Sequence, residues 1–99
     1  MKEFSATKKQ KIITKIMSNT PVEQSHLYGN ASYARALLRF RARGLELIDV
    51  QPHETVFTSV WYSERKSLLG RMKFDVAAML VWESGGPDGD STTLRIWHI

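Results

Sequence analysis

The chain has no cysteine among its 99 residues, so neither a disulfide nor a thiolate-bound zinc can staple the fold. That usage suits a reducing compartment, and a cytoplasmic location is expected. No apolar run approaches the ~20 residues of a membrane-spanning helix, so no membrane partner is expected. The opening stretch MKEFSATKKQ carries charge with no apolar segment behind it, which argues against a secretory leader. The chemical motifs are missing too. There is no glycine loop to cradle phosphate, no nucleophile elbow and no catalytic carboxylate pair. His26, His53 and His98 share no metal-ligand spacing, and Asp88-Gly89-Asp90-Ser91 lacks the later glutamate of a calcium loop. The expectation is therefore a non-enzymatic protein with no metal and no cofactor.

Acidic residues are scarce in one place only. Residues 1–43 hold Lys2, Lys8, Lys9, Lys11, Lys15, Arg35, Arg39, Arg41 and Arg43 against Glu3 and Glu23, whereas residues 44–99 carry an excess of acid. The net charge of +4 is thus concentrated at one end, the footprint of a surface that meets a polyanion. With 42% apolar and 24% charged residues, the composition is that of a folded domain. A single domain over 1–99 is expected, with a basic helical part (1–44) and a β-rich part (45–99).

What is present divides by period. Ile12, Ile13, Ile16 and Met17 make one apolar face of a helix over 7–19. Thr20-Pro21-Val22-Glu23 reads as a capping box with proline in the first turn, predicting a second helix over 21–27. Tyr28-Gly29-Asn30 breaks it, with Asn30 available to cap a third helix over 31–43 that stops at Gly44. On that helix Tyr33, Leu37 and Phe40 share a face, while Arg35, Arg39 and Arg43 form a separate stripe with no acidic partner four residues away. After Gly44 the period becomes two. Strands are expected over 45–51 and 55–63, around Pro52-His53-Glu54. The stretch 63–71 reads as loop or helical turn, 72–83 as strand with helix as the alternative, 85–90 as a turn and 92–99 as a last strand. The fold class expected is α+β, three short helices followed by a small antiparallel sheet.

The order of these elements, from Lys8 to Tyr62, resembles a winged helix-turn-helix, with ALLRFRARGLELIDV as recognition helix and first wing strand and a C-terminal β-hairpin extension. The resemblance implies a regulator that binds double-stranded DNA, and the small size and lack of catalytic motifs fit the regulators carried by bacteria, their phages or plasmids. Asn30, Ser32 and Arg35 would face base edges, and Arg39, Arg43, Lys8, Lys9 and Lys11 would meet phosphate. The alternative is a small inhibitor or adaptor that binds an acidic protein surface, using the arginine helix and the C-terminal sheet. Trp82 and Trp97 would then be interface residues, in a partner contact or a homodimer. A third reading rests on the ending RMKFDVAAMLVWE…TTLRIWHI, which resembles the last strands of bacterial toxins related to RelE and ParE. It implies a ribonuclease acting through Arg65, Lys66, Arg71, Arg95 and His98.

Overall fold

A computed structural model describes residues 4–64, 75–87 and 89–99. Seven elements follow in the order α1 (Ala6–Ser18), β1 (Glu23–Tyr28), α2 (Ser32–Ala42), β2 (Glu46–Pro52), β3 (Val56–Ser63), β4 (Val76–Gly86) and β5 (Gly89–His98). The strands form one antiparallel sheet in the order β1-β5-β4-β3-β2. The ambiguous stretch 63–71 and the start of the 72–83 strand fall largely outside the described residues, as does Asp88 in the 85–90 turn.

The two helices lie on opposite faces of this sheet. Strand side chains alternate in direction, so each strand supplies both layers. One layer joins Ala36 and Phe40 of α2 to Trp61, Val76, Ala78, Leu80, Leu94 and Ile96. The other joins Ile12 and Ile16 of α1 to Ile48, Val60, Tyr62, Ala77 and Trp97. Within the first layer the Phe40 ring meets Trp61 edge-on, 5.8 Å between centroids. Within the second, Phe4 meets Tyr62 in the same way at 5.4 Å.

The helix ends follow local chemistry. Ser5 caps α1, its Oγ accepting from the Lys8 N–H at 3.2 Å. At the end of α2, Gly44 takes φ +74°. Its N–H donates to Arg41 O, and the Leu45 N–H reaches back to Phe40 O, at 3.0 and 3.1 Å. This left-handed stop lets the chain reverse into β2 with Leu45 buried beside Phe40.

This architecture overturns the winged-helix expectation. Among the described residues there are two helices, and the sheet is the main body of the fold, not a small wing. The helix expected over 21–27 does not form; residues 23–28 form strand β1. The Thr20-Pro21-Val22-Glu23 signal is local and worth about one capping interaction. Extended pairing with β5 gives residues 23–28 a ladder and packs the half-buried Leu27 against the α2 layer. That tertiary gain outweighs the cap. Asn30 does not cap α2 either: Ala31 occupies that position, with no side-chain bond. Without the middle helix the described residues hold no helix-turn-helix, and the α1 lysines and α2 arginines sit on opposite sides of a sheet.

Candidate functional site

β1 lies at one edge of the sheet, and its free side can be read residue by residue. Glu23, Ser25 and Leu27 stand opposite Ile96, Leu94 and Thr92. Just past the strand, the Gly29 N–H donates to Asp90 O at 2.8 Å. The ladder alternates, so the odd-numbered residues of β1 bond to β5. On the far side of β5, Asp75 and Ile99 exchange N–H to O bonds in both directions, at 3.0 and 2.9 Å. That puts the odd-numbered residues of β5 on β4, in agreement. The backbone groups of Gln24, His26 and Tyr28 therefore point away from the sheet.

The opposite edge is closed by its own sequence. β2 carries a register shift between Leu47 and Asp49, which breaks the line of the strand. Its last residue, Pro52, has no N–H to offer. Among the described residues, β1 is the uninterrupted edge.

Helix α2 packs over β5, β1 and β4 and runs antiparallel to β1. Its arginine stripe lies along the free edge. Arg35 Nη2 donates to the Tyr28 carbonyl at 2.7 Å, covering one end. Arg43 holds Glu23 at the other end through two bonds, 2.7 and 3.0 Å. That guanidinium, by hydrogen bonding first and charge second, keeps the Glu23 carboxyl below its ordinary range. Arg39 stands midway. It is exposed and has no hydrogen-bond or ion-pair partner among the described residues. Beneath Arg39 a cavity of about 260 Å³ opens between α2 and β1, lined by Glu23, Gln24, Ser25, Phe40, Leu94 and Ile96 among others. Its floor is apolar and its rim is cationic.

The residues expected to read DNA do not converge. Ser32 is fully buried, its hydroxyl bonded to that of Thr92 at 2.8 Å, so it cannot reach a base. Arg35 and Arg43 are committed to β1. Asn30 is exposed at the turn into α2. On the other face of the sheet, Lys8 pairs with Glu64 at 2.8 Å and lies over the Phe4 and Tyr62 rings. Lys9 is half-buried on α1, and Lys11 lines a groove of about 860 Å³ between α1, Tyr62 and Asp75. A recognition helix inserted into DNA would need these groups on one surface, so the basic-helix DNA-regulator reading is set aside.

Trp97, expected to face a partner from an edge strand, lies instead in the α1 layer. β5 is flanked by β1 and β4, and the indole N–H donates to Asn19 O at 2.8 Å. Trp82 is half-buried on β4, opposite Phe57 and Thr92. Of the ribonuclease residues, Arg95 and His98 project from opposite faces of β5, while Arg65, Lys66 and Arg71 lie outside the described residues. Among the described residues no group of three or more His, Asp or Glu is placed to hold a metal ion, and no helix is long and apolar enough to cross a membrane.

The free edge itself was missed by sequence reasoning. A signal existed in EQSHLY, where Ser25 and Leu27 alternate with Gln24, His26 and Tyr28, but the preceding Thr-Pro-Val-Glu masked it.

In comparisons with known proteins, no family model, no curated protein and no solved structure matches this chain.

Proposed function

We propose that this protein is a binding module that takes up an extended, acidic segment of a partner protein by adding it as a sixth strand beside β1. Backbone pairing would supply the affinity shared by all such segments, and the arginine row would supply the preference for acid. The observation that carries this reading is the coincidence of two features: an edge strand that pairs with no second strand among the described residues, and a row of guanidinium groups running along it, of which Arg39 has no partner among those residues.

A second copy of the same chain is the less favoured occupant. Two β1 edges joined about a two-fold axis would place both α2 helices on one face of a continuous sheet. Arg35, Arg39 and Arg43 of each copy would then approach one another, and like charges brought together oppose association.

Proline substitution tests the reading. The His26 N–H faces outward, so His26→Pro removes an edge donor while leaving the ladder to β5 intact, the position where strands tolerate proline. Peptides selected from a random dodecapeptide display library on the wild-type protein are expected to be acidic and to lose binding to His26→Pro. Gln24→Pro is the second variant, in case the His26 side-chain bond to Thr93 (3.0 Å) matters to folding. Circular dichroism verifies that each variant folds. Selected peptides that bind folded proline variants unchanged would overturn the proposal, as would a preference for a short DNA duplex over every peptide.

A further inference from the structure

Resting on the strand-addition reading, we infer that the cavity between α2 and β1 is a side-chain pocket that selects the order acid–any residue–large apolar residue in the added segment. The register follows from the edge. Residues directly opposite one another across two strands project to the same face. A partner residue opposite Ser25 therefore projects to the α2 side, where the cavity of about 260 Å³ opens. Its floor of Phe40, Leu94 and Ile96 suits an aromatic or large aliphatic group. The next partner residue on that face stands opposite Leu27, between Arg35 and Arg39. Arg43, at the other end, is already neutralised by Glu23.

Every pairing in this sheet is antiparallel, and an antiparallel addition continues its geometry. In that direction the residue opposite Leu27 comes two positions before the residue opposite Ser25. The acid thus precedes the apolar residue, with one residue between them. The intervening residue projects to the other face, beside His26, and is left unspecified. A carboxylate opposite Leu27 gives Arg39 the partner it lacks among the described residues. An apolar side chain opposite Ser25 covers a floor that α2 leaves open.

The probe is a blocked decapeptide carrying one Glu-Thr-Phe segment in a serine–threonine background, with binding followed by fluorescence anisotropy. Replacing its Phe by Ala is expected to weaken binding roughly tenfold or more, the effect of emptying an apolar pocket. Replacing its Glu by Gln is expected to cost about threefold, since this pair remains partly in solvent. The reversed segment Phe-Thr-Glu can seat its Phe only by placing its Glu opposite Glu23, where like charges meet, and is expected to bind more weakly than the Gln peptide. Charge exchange provides the rescue: Arg39→Glu should weaken the Glu-Thr-Phe peptide by at least that threefold and bind a Lys-Thr-Phe peptide in preference to it. Binding that is abolished by His26→Pro yet indifferent to segment order, to Phe→Ala and to the Arg39 exchange would overturn the pocket while leaving strand addition standing. Binding insensitive to His26→Pro would overturn both. Sedimentation showing a dimer that the peptide cannot dissociate would assign the edge to a second copy and overturn both as well.

Discussion

Arg43 and Glu23, twenty positions apart in the chain, meet through two parallel N–H to O bonds of 2.7 and 3.0 Å, fastening the end of helix α2 to the start of strand β1. The pair sets the spacing between the helix and the free edge, and so the width of the cavity mouth. It is an exposed pair, with side chains 43% and 53% accessible, which limits its energy.

Replacing Glu23 by Gln should therefore destabilise the protein by about 0.5–1 kcal/mol at neutral pH, the upper range for exposed pairs and fitting a two-pronged geometry. The sign of its pH dependence is fixed. The folded carboxyl sits below its unfolded value, so the stabilisation is complete above the unfolded pKa of about 4.3 and is lost as pH falls through the lower folded value. Urea midpoints of wild type and Glu23→Gln should differ at pH 7 and converge in acid. A gap that keeps its size in acid would show that the pair is not its source.

Ser32 and Thr92 form a buried pair, both fully enclosed and joined hydroxyl to hydroxyl at 2.8 Å. Removing either hydroxyl strands the other, at about 1–3 kcal/mol. Removing both, in Ser32→Ala with Thr92→Val, should cost clearly less than the two single changes together. Additive losses in a urea-denaturation cycle would mean that the hydroxyls are not coupled.

Tyr62 is held protonated by burial and then by its hydrogen bond to Asp75, which together push its phenol well above the ordinary value. The ultraviolet phenolate signal that Tyr62→Phe removes should accordingly titrate above the usual pKa of about 10. Because the folded value is the raised one, the corresponding stability is present below that range and declines as pH rises through the folded pKa. A difference signal that titrates at the ordinary value would contradict the burial of this ring.

Much of the sheet was legible from the sequence. β2 and β3 follow their period-two patterns, and β4 and β5 flank a glycine-rich turn. Gly44 ends α2 as its position suggested, since only a residue at ease with positive φ permits that stop. β1 was not legible. Its short, polar pattern competes locally with a capping signal, and what decides the matter is a partner strand at residues 91–96, which no local window contains. The site failed for the same reason. The arginine spacing on α2 was evident, but its meaning depends on what lies beside it. With β1 read as a helix, the row seemed open to DNA; with β1 as an edge strand, two of its three members are tied to that strand. Ser32 shows the limit from the other side, because nothing local announces that Thr92 lies above it.

Amide hydrogen exchange, resolved by residue and repeated with the Glu-Thr-Phe decapeptide, tests the central claim most directly. In the free protein the Ser25 and Leu27 amides should exchange slowly and those of Gln24 and His26 quickly. Saturating peptide should slow Gln24 and His26 and leave Val50, on the opposite edge, unchanged. Protection of Gln24 and His26 already present without peptide, or peptide-induced protection confined to α1, would contradict the account.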